Sequence, residues 1–546
     1  MKKVSILALL MCLLLVASLF VACKPKDIKE WESNPVVASD SPLYRDYYHI
    51  FVYGFADGNG DGIGDLNGIE SKLDYIAGLG FNGIWLSPVH PSSQSAHKYD
   101  VEDYCAIDSD YGTLDDFKSL VDAAHAKGIS VMMDMVFNHS SNRHPWFKAA
   151  QQAYADGDTS NKYYDYYTFR TGPNDYLTFE GVQTMPKLNM ESESVREEID
   201  NICKFWLQDY GVDAFRLDAA KYFYGNAGGN IPFFQWLMST AQKYNPDVYM
   251  VAEVWEHDTV VYKHYAEDSV QSFFNFELSG TNGYNKLMVY VNDGYIDKAS
   301  MFENVIKTKE EGTAKGIDAL FASNHDTSRV SNSPLSYYSN REGEVTTSMM
   351  ERHKMGIAML YTQSGNVFSY YGNEIGLRNG VRFDSSSSYL DCTYRIAMNW
   401  GNKCEVTHED GFAYQSYGYS TRYGQYEDFL GGVAEQVDDQ NSIYNFYRRI
   451  MLLRRQNPEI AQGVSSFVVY DDADVAVIKR TYNDKSILLV YNLNSSQTKT
   501  VDLTKIVKEH NLQGTLAGFL SSDNSRDVKL KGAKLELPQF SIAVIR

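Results

Sequence analysis

The chain has 546 residues and carries 70 Asp and Glu against 50 Lys and Arg, a net charge of −20. This length exceeds that of one ordinary domain, so two or three domains are expected. Nucleic-acid binding depends on Lys and Arg that neutralise phosphates, so this charge excludes a nucleic-acid partner, and it gives no reason to expect an anionic substrate.

The first predicted element is an export signal at the N-terminus. The charged start MKK precedes an apolar run that ends in small residues, which is typical of a signal peptide over 1–22 rather than of a globular helix. The junction before Cys23 resembles the lipobox of bacterial lipoproteins, although Phe20 stands where Leu is more usual. This resemblance implies that Cys23 is lipidated, that 23–40 form a flexible tether, and that the membrane of the bacterial cell envelope is a partner. Ordinary secretion and an uncleaved anchor are the alternatives.

A loop rich in Gly and Asp, DGNGDGIGD, follows the first predicted strand, YHIFVYG (48–54). Its candidate oxygen ligands alternate along the chain: Asp57, Asn59, Asp61, the carbonyl of Ile63, and Asp65. An EF-hand is excluded because its position 12 requires a bidentate Glu and is Gly68 here, and because a strand precedes the loop. Hard oxygen ligands at this spacing suit Ca²⁺, so a structural calcium site is predicted, with a solvated turn as the alternative.

Short apolar runs alternate with loops and amphipathic stretches from about residue 48 to 456. Strands are predicted at 48–54, 81–87, 129–137, 211–218, 247–254, 271–277, 316–323 and 366–372. Helical patterns lie between most of them, including 113–128 and 194–211. Eight strand–helix units predict an α/β fold, a (β/α)₈ TIM barrel. A polar, Tyr-rich segment at about 139–192 is predicted to be a small domain inserted after the third strand.

The sequence changes character after a predicted helix at 441–459. The runs FVVYDD, DVAVIKRTY, KSILLVYNL and AKLELPQFSIAVI alternate with turn residues, which predicts a C-terminal antiparallel β-sandwich over 462–546. The barrel domain would then cover 41–461, and the chain is expected to act as a monomer. Cys392 and Cys404 are close enough in sequence to pair in an oxidising compartment.

Polar residues end four of the predicted strands, where an apolar core strand should not have them. These ends are DMVFNH (134–139), FRLDAAK (215–221), AEVW (252–255) and ASNHD (322–326). Active sites of such barrels gather at the carboxyl ends of the strands, so Asp218, Glu253 and Asp326 are expected to share a pocket. Three further polar residues belong to the same motifs: His139, Arg216 and His325. One carboxylate alone could be a cap or an ion-pair partner, but three at the same end of separate strands favour catalysis.

The four segments, in this order, resemble the conserved regions of the α-amylase superfamily, glycoside hydrolase family 13. Three further motifs are similar to family regions: MPKLN (185–189), GIWLSPV (83–89) and YYGNEIG (370–376). The resemblance covers nearly all of the mature chain. It implies that Asp218 is the nucleophile, that Glu253 is the acid/base, and that Asp326 stabilises the oxocarbenium-like transition state of a retaining reaction.

The same resemblance implies roles for the neighbouring residues. Arg216 would keep the nucleophile ionised through a charge-assisted hydrogen bond. Tyr99 matches the family's stacking ring, and His139 and His325 match its two donors to the sugar. Lys221 matches a contact on the leaving-group side. A hydrogen-bonded structural histidine is the alternative for each His. Oligosaccharide-cleaving members of the family carry a calcium loop similar to the one that begins at Asp57.

Two departures from the family pattern affect other predictions. Tyr222 stands four residues after the nucleophile, where the family's other calcium site usually takes a His. That second site is therefore in doubt, and Asn138 is not assigned to a metal. The segment YRIAMNW (394–400) also lacks the Thr-Pro that relatives tend to have in its middle.

Two details favour one reaction within the family. MPKLN resembles the intermediate and neopullulanase-like branches, and Ala219 follows the nucleophile where relatives specific for α-1,6 bonds tend to have Val. The predicted function is a retaining, endo-acting hydrolase of α-1,4 bonds in starch and maltodextrins. The alternatives are an oligo-1,6-glucosidase or α-glucosidase, a cyclomaltodextrinase or neopullulanase, and a transglycosylase. A non-catalytic glucan-binding or transport-associated module is remote, because all three carboxylates are present.

Overall fold

The computed structural model describes residues 29–37, 41–93, 95, 97–278, 287, 290, 291, 295–331, 346–379, 393–401, 405, 406 and 430–546. The signal peptide, Cys23, Cys392 and Cys404 lie outside the described residues, so lipidation and the disulfide stay predictions. Across the described ranges, no helix combines the length and the apolar character that a bilayer-spanning segment requires.

The described elements alternate between strands and helices up to residue 462 and are mostly strands after it. The strands are β1 (Tyr47–Ile50), β2 (Gly83–Leu86), β3 (Ser130–Met135), β4 (Phe169–Gly172), β5 (Asp175–Tyr176), β6 (Ala214–Leu217), β7 (Tyr249–Ala252), β8 (Ser272–Phe273), β9 (Ala319–Phe321), β10 (Asn366–Tyr370), β11 (Val464–Phe467), β12 (Val475–Tyr482), β13 (Lys485–Asn492), β14 (Lys499–Asp502), β15 (Leu516–Ser521), β16 (Lys529–Lys531), β17 (Lys534–Leu537) and β18 (Ser541–Ile545). The α-helices are Val52–Phe55, Leu66–Ser71, Leu73–Leu79, Leu114–Ala126, Pro145–Asp156, Glu193–Cys203, Ala227–Ala241, Asp258–Val261, Lys298–Gly312, Thr347–Tyr361, Val433–Gln436, Ile443–Gln456, Glu459–Gln462 and Thr504–Glu509. Short 3₁₀ turns occur at Glu30–Ser33, Ala220–Tyr222, Tyr262–His264 and Asn373–Ile375, and Lys204–Asp209 is π-helical.

Eight parallel strands form one barrel sheet, in the order β8-β7-β6-β3-β2-β1-β10-β9. A parallel bridge between Phe274, just after β8, and Ala319 in β9 joins the two ends of this sheet. The barrel strands are buried on both faces, as expected where helices cover a parallel sheet. The predicted TIM barrel is confirmed.

The first strand is shorter than the sequence predicts. The apolar run 48–54 indicates a strand throughout, but β1 ends at Ile50 and Val52–Phe55 forms a helical turn. The amide of Val52 donates to Ser87 Oγ at 3.0 Å instead of continuing the strand ladder. This early turn brings the calcium-loop candidate to the carboxyl end of the barrel.

The segment between β3 and β6 forms the predicted excursion. It contains the helix Pro145–Asp156 and the antiparallel pair β4–β5. Isolated bridges join His139 to Lys187 and Thr178 to Pro186. The chain therefore leaves the barrel and returns within one short stretch, which places the segment over the barrel mouth.

The C-terminal region consists of two antiparallel sheets, β11-β12-β13-β18-β15 and β14-β17-β16. The predicted run FVVYDD is wrong in position, since β11 is Val464–Phe467. The predicted strand AKLELPQFSIAVI is two strands, because Pro538 lacks the amide that a central ladder needs. The strands β14, β15 and β16 were not predicted, since their short runs carry little alternating pattern.

The predicted flexible tether over 23–40 is wrong for residues 29–37. Trp31 is buried and packs against Phe519 of β15, with ring centroids 6.1 Å apart. Glu32 Oε2 lies 2.6 Å from Arg448 Nη2 on the last long barrel helix. A buried aromatic ring and a partly buried ion pair therefore fasten this segment across the junction of the barrel and the C-terminal sheets.

Candidate active site

The carboxyl ends of the barrel strands surround one pocket of about 530 Å³. Its lining contains most of the site residues predicted from the sequence, together with residues of the inserted segment. The lining residues are His97, Tyr99, His139, Phe179, Glu180, Met185, Asp218, Ala219, Lys221, Tyr222, Glu253, Trp255, Asp326 and Arg395. Side chains that lie more than 200 positions apart in the sequence thus meet at one opening, as expected for a barrel of this kind.

Arg216 is the electrostatic centre of the pocket. This fully buried side chain projects from β6 and contacts three carboxylates. Its Nη1 lies 2.7 Å from Asp218 Oδ1 and 2.7 Å from Asp134 Oδ1, and its Nη2 lies 3.0 Å from Glu253 Oε2. One guanidinium therefore holds Asp218 and Glu253 side by side and fixes both orientations.

Asp134 supports this arrangement from the neighbouring strand. It lies opposite Arg216 in the β3–β6 register. Its Oδ2 accepts from the hydroxyl of Tyr99 at 2.9 Å, and the same hydroxyl lies 2.5 Å from His325 Nε2. Tyr99 and His325 are nearly parallel, with ring centroids 5.5 Å apart. The Tyr99 ring is thereby held rigidly at the pocket floor.

Two neighbouring side chains, Arg395 and His325, hold the carboxylate of Asp326. Its Oδ1 lies 2.6 Å from Arg395 Nη2, and its Oδ2 lies 2.9 Å from His325 Nε2. Burial opposes ionisation, but His325 and Arg395 lower the pKa of Asp326 far below its usual range. Burial lowers the pKa of His325 to about 4. Asp326 is therefore an anion throughout the working pH range.

The backbone after β6 is bent toward Glu253. Ala219 has a φ of +48°, a left-handed conformation that costs energy for a residue with a Cβ atom. This turn aims the Ala219 amide at Glu253 Oε2, 3.0 Å away. The next side chain toward the opening, Lys221, pairs with Glu256 at 2.7 Å. Backbone strain next to Asp218 thus positions the second carboxyl.

Burial raises the pKa of both Asp218 and Glu253. Arg216 opposes this shift for each, whereas the mutual repulsion of the two groups and their neighbours reinforces it. The four carboxyl groups of this cluster outnumber its two cations, Arg216 and Arg395. This excess of negative charge favours keeping one proton within the cluster. Oε1 of Glu253 makes no hydrogen bond to any described residue, so it is the oxygen that can carry this proton.

His139 lies beside the pocket beneath a ring of the inserted segment. It stacks on Phe179, with centroids 4.8 Å apart and an interplanar angle of 13°. Its Nε2 is buried and has no partner among the described residues. Burial lowers the pKa of His139 to about 3, so the ring is neutral. A neutral imidazole with an unpaired nitrogen at the pocket wall can hydrogen-bond a sugar hydroxyl.

Sequence reasoning placed eight residues in this pocket and missed several others. Asp134 carried a usable signal, because it is a charge inside the otherwise apolar strand SVMMDM. Arg395 carried none, since it comes from the loop after β10 whose motif departs from the family pattern. His97, Glu180 and Trp255 also line the pocket. Trp255 ends the AEVW motif, whereas nothing in the local sequence distinguishes His97 and Glu180 from surface residues.

The calcium-loop candidate lies outside the pocket and is internally hydrogen-bonded. Asp57 accepts from the amides of Gly60 and Gly62 at 2.6 and 2.7 Å, and Asp65 accepts from the amides of Gly58 and Asn59 at 3.0 Å. In the described part of the chain, no group of three or more His, Cys, Asp or Glu side chains is arranged as a metal site. The predicted donors are nevertheless all hard oxygens, the set that Ca²⁺ takes, and they include an amide and a carbonyl.

Comparisons with known proteins find similar sequences and structures along most of the chain. The family model described as "Alpha amylase, catalytic domain" matches residues 49–463. The chain is 32% identical to Alpha-amylase 3 of Dictyoglomus thermophilum, over 87% of this chain and 89% of that protein. It is 28% identical to the oligo-1,6-glucosidase of Parageobacillus thermoglucosidasius, over 82% and 89%. The solved structure of Eubacterium rectale Amy13B is similar, with a TM-score of 0.81, 34% identity, and coverage of 96% and 99%.

Proposed function

Because the chain belongs to the α-amylase family of glycoside hydrolases, we propose that it hydrolyses internal α-1,4 bonds of starch and maltodextrins with retention of configuration. One observation carries this proposal above the others. Asp218 and Glu253 are bound to the same buried guanidinium within one pocket. That arrangement supplies a nucleophile and a proton donor to a single glycosidic bond.

In the first proposed step, a carboxylate oxygen of Asp218 forms a bond to the anomeric carbon as the glycosidic bond breaks. Glu253 gives its proton to the departing oxygen, so the leaving sugar departs as an alcohol. In the second step, Glu253 accepts a proton from water while the water oxygen bonds to the same carbon. The bond to Asp218 breaks, and both carboxyls return to their starting states.

The remaining pocket residues stabilise the charge that develops on the sugar. Asp326 stays ionised beside His325 and Arg395, so its negative charge faces a positively charged sugar ring in each transition state. Tyr99 offers an aromatic face for this ring. His139 offers its unpaired Nε2 to a hydroxyl. These contacts act mainly on the transition state, which is where they accelerate the reaction.

The preference for α-1,4 bonds rests on relatives and on two sequence features. The relative named Alpha-amylase 3, the motif MPKLN and Ala219 favour it. Several similar proteins named oligo-1,6-glucosidase favour the alternative, an exo-acting α-1,6 enzyme. A transglycosylase differs only in what intercepts the intermediate, so the same residues serve all three.

Product analysis separates these reactions. Purified enzyme is incubated with soluble starch, pullulan, isomaltose and β-cyclodextrin, and products are chromatographed over time. We expect mixed malto-oligosaccharides early from starch and no turnover of isomaltose. Glucose released only from chain ends would replace the endo-acting enzyme with an exo-acting α-glucosidase. Rapid isomaltose cleavage would replace it with the oligo-1,6-glucosidase alternative. Preparations of an Asp218→Asn variant serve as the blank for contaminating activities.

We also propose that the loop from Asp57 to Asp65 binds Ca²⁺ and stabilises the fold. The would-be ligands are Asp57, Asn59, Asp61, the Ile63 carbonyl and Asp65. A bound cation would offset the mutual repulsion of three carboxylates in a loop that follows the first barrel strand. It would take no part in bond cleavage, because the loop does not line the pocket.

Removing calcium is expected to lower the melting temperature by about 3 °C, because a ligand at 100 times its dissociation constant contributes about 2.7 kcal/mol. The measurement is a thermal melt with excess Ca²⁺ or with EGTA. An Asp57→Asn/Asp61→Asn variant should melt at the EGTA value under both conditions. A wild-type melt indifferent to EGTA would remove the calcium proposal.

We propose, finally, that Cys23 carries a lipid that anchors the protein to the cell envelope. The resemblance of the junction before Cys23 to a lipobox supports this, and residues 24–28 would link the lipid to the docked segment 29–37. Lys29, the described residue nearest to Cys23, pairs with Asp527 of the C-terminal region at 2.8 Å, so the anchored end of the chain would leave beside the C-terminal sheets. Mass spectrometry of the membrane-extracted protein should find a diacylated Cys23, and an unmodified, secreted chain would contradict it.

A further inference from the structure

The inserted segment presents one acidic side chain to the pocket for which the mechanism above has no use. Glu180 lines the cavity together with Lys221, Glu253 and Trp255, and its charge is among those that act on Glu253. The partner of its Oε1, Tyr222, follows Lys221 in the turn Ala220–Tyr222, and Lys221 pairs with Glu256, three residues after Glu253. Glu180 therefore lies on the side from which the leaving sugar departs.

The backbone at Glu180 is held in an unfavourable conformation. Its φ is +47°, and Gly181 follows at +85°. A tight turn creates this shape, since the amide of Val182 donates to the Phe179 carbonyl at 2.8 Å and the amide of Phe179 donates to the Met185 carbonyl at 2.9 Å. A left-handed Glu costs energy that a Gly or Asn would avoid. The surrounding turn thus fixes a carboxylate at this position.

The side chain of Glu180 is also oriented by the barrel. The hydroxyl of Tyr222 donates to Glu180 Oε1. Phe179 packs edge-on against the ring of Tyr222, with centroids 5.3 Å apart. The ammonium of Lys187 donates to the carbonyl of Tyr222 from the far end of the same hairpin. Three contacts thereby join the inserted segment to the turn that follows Asp218.

The clamp, which is the hydrogen bond from Tyr222 to Glu180, uses one carboxylate oxygen of Glu180 and leaves the other for a ligand. Oε2 of Glu180 makes no hydrogen bond to any described residue, and the side chain is exposed at the pocket. Carboxylates accept hydrogen bonds from sugar hydroxyls, and charged acceptors form the stronger bonds of this kind. Nearby, Trp255 offers a half-exposed ring that stacks on Phe276. This part of the pocket therefore combines a hydrogen-bond acceptor, Glu180, with the apolar face of Trp255, and a sugar can use both.

We propose that Glu180, oriented by Tyr222, binds hydroxyls of the glucosyl unit on the leaving-group side of the cleaved bond. This inference rests on the proposed glucan hydrolysis and deepens it. Glu180 makes the reaction depend on a sugar, rather than any alcohol, as the leaving group. The same contact holds a sugar acceptor when it, and not water, attacks the glycosyl-enzyme intermediate.

The test compares two leaving groups with the same donor sugar chain. Maltotetraose can release glucose, which offers hydroxyls to Glu180, whereas nitrophenyl α-maltotrioside releases nitrophenol, which offers none. For a Glu180→Gln variant, we expect kcat/KM to fall about tenfold more on maltotetraose than on the nitrophenyl substrate, since a hydrogen bond to a charged group contributes roughly 1.5–3 kcal/mol. Equal losses on both substrates, or no loss on either, would overturn the proposal.

Two companion variants separate binding from structure. Tyr222→Phe keeps the ring packing and removes only the hydroxyl, so its losses should follow the same pattern at smaller size. Glu509→Gln, an exposed carboxyl in the C-terminal domain, should alter neither substrate. If wild-type enzyme cleaves no α-1,4 substrate, the proposed function fails; if it does and the two losses are equal, only the role of Glu180 fails.

A pH profile provides a readout that a purely structural role would not change. Glu180 is one of the charges that act on Glu253, together with Arg216 and Asp326, and its negative charge raises the pKa of that group. Neutral Gln at this position should therefore move the basic limb of kcat/KM to lower pH. An unmoved limb would contradict the placement of Glu180 beside the acid/base.

Discussion

An Asp218→Asn variant is expected to lose about 10⁴-fold or more in kcat/KM on maltotetraose, because losing a nucleophile from a catalytic unit removes most of its rate enhancement. Asn has the same size and can still accept from Arg216, so the pocket should keep its shape. The measurement is initial-rate kinetics, with a thermal melt to show that the variant is folded. Asp247→Asn, an exposed position far from the pocket lining, is the matched control.

Chemical rescue makes this first prediction specific for a nucleophile. In an Asp218→Gly variant, azide can enter the space of the missing side chain and attack the anomeric carbon directly. A single displacement inverts the configuration, so the variant should regain turnover on an activated donor and form a β-glycosyl azide. Undiminished activity of Asp218→Asn would remove the assignment. Rescue that gives an α-azide would require a nucleophile elsewhere in the pocket.

The second large effect is expected for Glu253→Gln. The size of its loss in kcat/KM should depend on the leaving group. On maltotetraose, kcat/KM should fall by about 10²–10⁴, the range over which general acid–base catalysis contributes. On α-maltotriosyl fluoride the loss in the first step should be much smaller, because fluoride departs without a proton from Glu253. Comparing the two substrates at one pH measures this difference. Equal losses would mean that Glu253 does not protonate the departing oxygen.

The pH dependence of kcat/KM follows from the same cluster. Burial raises the pKa of Glu253, so the protonated form that the first step needs persists to higher pH than in an ordinary Glu. Activity is therefore lost as pH rises through this raised pKa, and Glu253→Gln should lack that basic limb. Burial also raises the pKa of Asp218, so the acid limb lies above the usual range for Asp. Because the two carboxyls interact, both limbs belong to the pair.

Much of the fold could be predicted because its pattern is local. Each barrel strand is a short apolar run, and the helix Leu114–Ala126 begins at a Thr113 cap with Asp116 completing a capping box. Predictions failed where local pattern and tertiary contact disagree. The run 48–54 is apolar throughout, yet Ser87 takes the amide of Val52 and the strand ends. Residues 29–37 are polar enough to suggest a tether, yet the ring of Trp31 is buried against Phe519 of β15.

In the candidate site, too, some residues could be predicted from the sequence and others could not. Carboxylates at the ends of β6, β7 and β9 could be identified from sequence, because a charge that closes an apolar strand has few structural reasons to be there. Their convergence follows from the parallel barrel, which brings equivalent strand ends together. No such rule applies to Arg395, which arrives from the loop after the last barrel strand and contacts Asp326 at 2.6 Å.

The sequence by itself determined the architecture, the family resemblance and the three acidic residues, since periodicity and motif order are properties of neighbouring residues. Only the tertiary structure decided how these groups are held and charged. The shared guanidinium of Arg216, the support from Asp134 and the clamp of Tyr222 on Glu180 join distant segments. Hydrogen-bond geometry and burial depend on distances through space, and these exist only once the chain has folded.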